Sequence, residues 1–123
     1  MGQYTDGRFQ TRQNIANKID SNLAATGVCA IVRFFTQSLV YEVAIGIGVA
    51  GTAAATSKFD IYKNTSSIGA VVFCTETADQ VVIATLADTT FAANDRLVLK
   101  NSDSDATFKG NLSVDYSELF SAT

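Results

Sequence analysis

Apolar and polar residues alternate along most of this chain from Val28 onward, and the alternation is clearest in residues 38–50. One set of alternate positions is bulky, and the other set is polar or very small. The bulky set is Tyr41, Val43, Ile45, Ile47 and Val49, and the other set is Glu42, Ala44, Gly46, Gly48 and Ala50. Successive side chains of a strand point to opposite faces. This segment is therefore predicted to be a β-strand whose bulky face lies in a core.

The small positions of this strand, Ala44, Gly46, Gly48 and Ala50, permit two interpretations. Glycine weakens a strand, and it often marks a bulge or the close approach of another backbone. The first interpretation is a bulged or strongly bent strand within one domain. The second is a flat face that docks against a neighbouring subunit, with these four residues in the interface.

Other segments of the chain have the same strand-like character and are separated by turn residues. They are residues 28–35, 58–63, 68–74, 80–86, 96–100 and 106–116, and residues 89–92 are a candidate eighth strand. The sequence Asn-Thr-Ser-Ser at 64–67 closes a hairpin over residues 58–74. Short strands with turns every 8–12 residues or so are typical of a sandwich or barrel. We therefore predict an all-β, antiparallel domain of seven to eight strands over residues 27–123.

Residues 1–26 differ from the rest because they are polar and carry Ile15, Ile19 and Leu23 at a spacing of four. That spacing places the three apolar residues on one helical stripe. Two interpretations compete, namely a short helix packed on the domain and an arm that lies along another molecule. We expect residues 1–20 to attach the chain to its neighbours and the sandwich to fold without them.

Composition limits the chemistry that this chain can perform. The chain has 123 residues, of which 47% are apolar and 17% charged, and this balance favours one folded domain. It contains no His, so Ser-His-Asp, Cys-His and His-metal sites are excluded. It also lacks a glycine-rich phosphate loop and a pair of closely spaced cysteines. We therefore expect no enzymatic activity, no cofactor and no bound metal.

Charge and hydropathy address two further classes of partner. The net charge is −3, and Lys and Arg are not clustered as nucleic-acid binding would require. The most apolar window, residues 39–55, contains Glu42 and is shorter than the roughly 20 residues of a membrane-spanning helix. Residues 1–10 do not have the pattern of a secretory leader. We expect no nucleic-acid partner, no membrane partner, and synthesis in a reducing cytoplasm.

Three residues within the apolar runs are unusual there. Arg33 lies among Ile, Val and Phe residues, and we expect it on an outward face, the alternative being a pair across an interface. Cys29 and Cys74 are expected to be buried thiols. A disulfide between them would require neighbouring strands.

Two stretches of the chain resemble small β-sandwich virion proteins of tailed bacteriophages. The first has the sequence FDIYKNTSSIG at residues 59–69, and the second has the sequence TFAANDRLVL at 90–99, followed by SDSDATF at 102–108. Asn94 stands where that family tends to have glycine, and both residues tolerate a left-handed backbone. Thr65 stands where glycine is usual. The resemblance implies a jelly-roll-like sandwich, often trimeric, on a phage particle.

Within that family, this chain is most similar to a capsid decoration (cement) protein, because it is barely larger than the sandwich module. The resemblance implies a structural virion protein on the capsid exterior, made in the host bacterial cytoplasm. Its partners would be the major capsid protein and two further copies of itself in a homotrimer. Tyr4, Arg8, Phe9 and Arg12 would then form a capsid-binding arm. The alternative is a receptor- or carbohydrate-binding tip domain of a phage head or tail fibre, for which the Ser- and Asp-rich residues 101–105 would be an exposed binding rim.

Overall fold

Nine β-strands form two antiparallel sheets in this computed structural model, which describes residues 12–21, 27–52, 58–73, 78–102 and 105–119. The strands are β1 (Gln13–Lys18), β2 (Val28–Arg33), β3 (Ser38–Val49), β4 (Lys58–Lys63), β5 (Ser66–Phe73), β6 (Val81–Ala84), β7 (Thr90–Phe91), β8 (Arg96–Asn101) and β9 (Lys109–Glu118). The predicted all-β antiparallel sandwich is confirmed. The short β7 corresponds to the candidate eighth strand at residues 89–92. The ninth strand is β1, which the alternation from Val28 onward did not include.

The pairing of the strands is nested. One sheet has the order β1-β9-β3-β6, with β7 also paired to β3, and the other has the order β2-β8-β4-β5. In sequence order, the β4–β5 hairpin is enclosed by the paired strands β3 and β6. That pair is enclosed by β2 and β8, which are enclosed in turn by β1 and β9. A chain that wraps nested antiparallel pairs into two facing sheets has the jelly-roll arrangement. The fold is therefore a jelly-roll-like sandwich.

The core lies between the two sheets and contains the inward-facing side chains of both. From β3, Val43, Ile45 and Ile47 are buried as the alternation predicted. Aromatic rings fill the space between the sheets, with the Phe34 and Phe91 ring centroids 4.7 Å apart. Burial of each such side chain stabilises the fold by roughly 1.5–3 kcal/mol.

The strand β3 is bulged near both ends, and this changes which of its side chains face the core. Its register against β9 shifts between Val40 and Glu42 and again between Ile47 and Val49. Tyr41 and Val49 were expected to face inward, but they are 43% and 42% exposed. A bulge adds one residue to a strand and re-aims the side chains beyond it. Of the two interpretations of the small positions, the bulged strand is confirmed around Gly48.

Of the two interpretations of residues 1–26, the helix through Ile15 and Ile19 is wrong, because residues 13–18 form β1 and pair with β9. Ile19 is only 2% exposed and belongs to the core. A spacing of four residues is an even number, so it places side chains on one face of a strand as well as on one face of a helix. The sandwich therefore begins before residue 27, and residues 13–19 belong to it.

Candidate interaction surfaces

The outer face of the four-stranded sheet carries basic and apolar side chains together, and we call it the basic face. Its members are Val28, Ile31, Arg33, Phe35, Lys58, Asp60, Tyr62, Arg96 and Lys100, from β2, β4, β8 and the turn after β2. Phe35 is 72% exposed and Ile31 is 46% exposed. Exposed aromatic and arginine side chains are the residues that most often dominate binding energy at protein interfaces.

Two arginines lie directly opposite each other on the basic face. Arg33 of β2 is the cross-strand partner of Arg96 of β8. Like charges at directly opposite positions destabilise a sheet, so this pair contributes nothing favourable to the isolated fold. Arg33 is held in place because its Nη2 donates to Oδ1 of Asn94 at 2.6 Å and its guanidinium lies 5.1 Å from the ring centroid of Phe35. The predicted outward position of Arg33 is confirmed.

The charge of the basic face is mostly positive. Lys100 lies 4.5 Å from the ring centroid of Tyr62, and Lys58 forms an ion pair of 3.7 Å with Asp60 on the same side of the sheet. Counting Arg33 and Arg96 as well, the face has four basic residues and one acidic residue. Sequence analysis missed this surface, because only the β2–β8 register brings the two arginines together.

The outer face of the five-stranded sheet is lined by small side chains at its centre, and we call it the small-residue face. One row of paired residues crosses it, namely Ala16 of β1, Ser113 of β9, Ala44 of β3 and Ile83 of β6. The next row is Lys18, Asn111, Gly46 and Val81. A shallow depression of about 490 Å³ opens beside that second row and is bordered by Lys18, Asp79 and Lys109.

The four residues proposed from sequence as an interface differ in accessibility. Ala44 is 4% exposed and is thus largely covered within the chain itself. Gly46 and Ala50 are partly buried, and Gly48 is exposed at the bulge. The most exposed large apolar side chains nearby belong to β6, where Val81 is 68% exposed and Ile83 is 61% exposed.

A cluster of polar side chains joins the β4–β5 turn to the segment from β6 to β8. Asn64 donates from Nδ2 to Oδ1 of Asp95 at 2.9 Å, and its Oδ1 accepts from the backbone N–H of Arg96 at 3.0 Å. The hydrogen bond from Asn64, together with one from the backbone N–H of Ala92, lowers the pKa of Asp95 below its ordinary value. These side chains satisfy one another, so the cluster fixes the geometry of the turns.

A lysine links a second carboxylate to this cluster. Nζ of Lys63 lies 3.0 Å from Oδ2 of Asp88 and also donates to the carbonyl oxygen of Thr90 at 2.6 Å. The bond from Lys63, followed by one from the backbone N–H of Thr90, lowers the pKa of Asp88. Both carboxylates are thus stabilised in their charged form by the fold.

Of the residues expected in a capsid-binding arm, Tyr4, Arg8 and Phe9 lie outside the described residues. Arg12 is described and is engaged with the sheet. Its guanidinium forms an ion pair with Asp115 of β9 and lies 4.2 Å from the ring centroid of Tyr41. The side chain of Arg12 is 56% exposed, and its ion pair with Asp115 places it at the border of the small-residue face.

The Ser- and Asp-rich segment at 101–105 is largely part of the framework where it is described. Asn101 and Asp105 are 1% and 3% exposed. Oδ1 of Asp105 accepts from the backbone N–H groups of Thr107 at 3.0 Å and of Phe108 at 3.2 Å. Of the three residues between Asn101 and Asp105, Ser102 is described, and 103 and 104 lie outside the described residues. Asp105 therefore stabilises the turn before β9 through its carboxylate.

Other types of site were sought in the same residues. Within the described ranges, no group of three or more Cys, Asp, Glu or His side chains is placed to hold a metal ion. The described part of the chain has no helix long and apolar enough to cross a membrane. Cys29 is buried, as expected, and Cys74 lies outside the described residues. No protein-family model, curated protein or solved structure matches this chain.

Proposed function

We propose that this chain is a capsid decoration protein of a tailed bacteriophage, which binds between major capsid subunits on the outside of the shell and stabilises it. The resemblance of residues 59–69 and 90–99 to phage virion sandwiches suggests this role. The jelly-roll-like fold is compatible with it, since capsid proteins and lectins both use such folds. A fold alone does not assign a function, so the proposal depends on a surface.

The observation that carries the proposal is the basic face. Arg33 and Arg96 stand opposite each other at a cost to the isolated sheet, beside an exposed Phe35. An acidic partner surface would remove that cost, and the aromatic ring would supply an apolar anchor. We therefore assign the basic face to contact with acidic patches of the major capsid protein, with residues 1–11 as a second contact.

The mechanism requires no chemical step. A protein that binds the assembled shell and not its separated subunits stabilises the shell by mass action. Each added contact must be broken before neighbouring capsomers separate. Accordingly, the proposal places the protein on the virion exterior, without a catalytic residue or a cofactor.

The proposal is tested by sedimentation of purified chain with intact capsids of the phage that encodes it. We expect saturable co-sedimentation, and shells that withstand higher temperature when the chain is bound. Dissociated capsid subunits, offered at the same concentration, should bind far less. Absence of co-sedimentation at saturating concentrations would overturn the proposed function.

Variants then test the surface separately from the function. Arg33→Glu and Phe35→Ala should each weaken capsid binding at least tenfold, because interface residues of these types commonly contribute about 2 kcal/mol or more. Lys18→Glu, on the opposite sheet, is the matched control and should bind normally. If the parent chain binds capsids and all three variants bind equally well, the function stands and the basic face is wrong.

The fibre-tip alternative predicts a different partner. A tip domain would bind a receptor or carbohydrate through end loops, and the 101–105 segment was the sequence feature that favoured it. Because Asn101 and Asp105 are buried, that feature no longer supports an exposed rim. Binding to host cells or to a glycan array in the absence of capsid binding would favour the tip domain.

A further inference from the structure

Arg33 and Arg96 occupy the kind of cross-strand pair in which two side chains lie closest together. Just beyond β2, Phe34 donates its backbone N–H to the carbonyl oxygen of Asp95 at 2.9 Å and accepts from the N–H of Asn94 at 2.7 Å. Hydrogen-bonded and non-hydrogen-bonded pairs alternate along an antiparallel ladder, and the Cα atoms of the second kind are only about 4.5 Å apart. Arg33 and Arg96 form the next pair, so it is of the second kind. Their side chains therefore leave the sheet side by side.

The side chain of Arg33 and the backbone of Arg96 are held in place within the chain itself. Asn94 accepts a hydrogen bond of 2.6 Å from the guanidinium of Arg33, and the ring of Phe35 lies 5.1 Å from that guanidinium. Asn64 fixes the backbone of Arg96, because its Oδ1 accepts from the N–H at 3.0 Å and its own N–H donates to the carbonyl oxygen at 2.8 Å. A site that is ordered in advance loses less conformational entropy when a ligand binds.

The positive charge of this arginine pair is not neutralised within the part of the chain that the structure describes. No described carboxylate lies within ion-pair distance of either Arg33 or Arg96. Asp88 and Asp95, near the same end of the four-stranded sheet, lie 3.0 Å and 4.0 Å from Nζ of Lys63. The three basic residues and the two acidic ones together carry a net charge of about +1. One added carboxylate would neutralise this end of the sheet.

Apolar side chains lie on both sides of Arg33. Ile31, two residues earlier, is 46% exposed, and Phe35, two residues later, is 72% exposed. Alternate residues of an extended chain are about 6.7 Å apart on one face. An extended segment with an apolar residue two positions from an acidic one therefore matches this spacing. A nucleic acid would instead require a larger cluster of cations, so the chemistry favours an acidic segment of a protein.

We infer that Arg33 and Arg96 together bind one carboxylate, that of an Asp or Glu side chain in an extended segment of the partner protein. A guanidinium donates two parallel N–H groups to a carboxylate, and the apolar neighbours of the acidic residue pack on Ile31 and Phe35. The inference rests on the proposed function for the use of the basic face as a contact. It replaces a diffuse attraction by a defined site, which depends on the planar fork of arginine as well as on its charge.

Titration of the ¹⁵N-labelled chain with a synthetic peptide tests the site without capsids. The peptide has one glutamate two positions before a valine in a background of threonine, and the control has glutamine in place of the glutamate. We expect saturable shifts of the Arg33, Phe35 and Arg96 amide signals at millimolar peptide, and at least fivefold weaker binding of the control. Equal binding of the two peptides, or tighter binding of inorganic phosphate than of the glutamate peptide, would overturn the inference.

Lysine substitutions separate a defined site from a diffuse attraction, because they keep the charge and remove the fork. Arg33→Lys and Arg96→Lys should each weaken binding of the glutamate peptide at least fivefold. The double variant should be little weaker than either single variant, since both arginines act on one carboxylate. Lys109→Gln, on the opposite sheet, is the matched control and should bind as the parent does. Thermal unfolding of each variant confirms that it is folded.

The same variants distinguish failure of this inference from failure of the proposed function. If the lysine variants bind the peptide as the parent does, or if the chain binds capsids and not the peptide, the two-arginine site is wrong and the proposed function stands. If the peptide binds as expected and capsids do not bind, the proposed function is wrong and the carboxylate site stands.

Discussion

The side chain of Asn64 donates a hydrogen bond to Asp95, and this contact joins the two stretches that resemble phage virion sandwiches. Asn64 closes the β4–β5 hairpin, whereas Asp95 ends the turn that leads into β8. The backbone N–H of Asn64 also donates to the carbonyl oxygen of Arg96 at 2.8 Å. The resemblance therefore includes residues that build the framework, and the same two stretches also contribute Tyr62 and Arg96 to the basic face.

Replacement of Asn64 should destabilise the fold in two separable ways. Its φ of 56° is in the left-handed region, and its side chain makes two hydrogen bonds. Asn64→Gly keeps the backbone conformation and loses the bonds, at about 1–2 kcal/mol. Asn64→Ala adds backbone strain, so it should cost about 1 kcal/mol more. Urea unfolding followed by circular dichroism measures both, and equal stabilities of the two variants would contradict the strain argument.

Acid should destabilise the chain through Asp88 and Asp95. Both have a folded pKa lowered from the ordinary 3.8 by hydrogen bonds, from Lys63 and the Thr90 N–H for Asp88 and from Asn64 and the Ala92 N–H for Asp95. Their stabilising contribution is complete above the unfolded pKa and is lost as pH falls through the lower folded pKa. The free energy of unfolding should therefore decrease below about pH 4.

The Asp95→Asn variant isolates one of these carboxyls. It should be less stable than the parent at pH 7, and its stability should fall less steeply between pH 5 and pH 2. Glu42→Gln, on the exposed small-residue face, serves as the control and should follow the parent curve. Parallel curves for parent and Asp95→Asn would show that this carboxyl does not contribute to the acid transition.

Two glycines on neighbouring strands should differ in how well they tolerate an added methyl group. A Cβ on Gly110 would overlap the carbonyl oxygen of Gly46 and would lie 2.9 Å from the ring of Phe108. A Cβ on Gly46 would have its nearest neighbour at 4.0 Å. Gly110→Ala should therefore cost about 1–3 kcal/mol, as overpacked positions do, while Gly46→Ala should change stability by less than about 1 kcal/mol. Thermal unfolding of the pair checks this difference, and similar melting temperatures would contradict it.

The all-β class of the fold could be predicted from the sequence, because the alternation of apolar and polar residues is enough to identify strands. Ile45 and Ile47 are buried where their period-two spacing placed them. The same rule failed at Tyr41 and Val49, because a bulge changes the phase of the alternation and leaves no unambiguous residue pattern. At Ile15 and Ile19, an apolar spacing of four fitted a helix and a strand equally, and pairing with β9 decided between them.

The candidate surfaces could be predicted only in part. The small positions of β3 suggested a close approach, and their neighbour proved to be β9 of the same chain near Gly48. Arg33 was recognisable as an outward charge, but Arg96 lies 63 positions later in the sequence. Only the β2–β8 register, which depends on the whole nested topology, makes them neighbours. Long-range register is the information that a local pattern lacks.

Truncation of the N-terminus should separate the proposed arm from the sandwich. The sequence pattern predicts that the sandwich folds without residues 1–20, but β1 and Ile19 contribute to the sheet and the core. Deletion of residues 1–11 keeps both and should leave the melting temperature within a few degrees of the parent value, while capsid binding weakens if these residues are a contact.

Deletion of residues 1–19 removes the strand that pairs with β9 at the sheet edge, and it also removes the buried Ile19. By comparison with Ile→Ala changes, loss of that side chain alone should lower the free energy of unfolding by about 2–5 kcal/mol. We expect that chain to be largely unfolded or aggregated, as judged by circular dichroism and size-exclusion chromatography. A cooperative unfolding transition of parental stability after deletion of residues 1–19 would contradict the assignment of β1 to the sandwich, and unchanged capsid binding after deletion of residues 1–11 would exclude the arm.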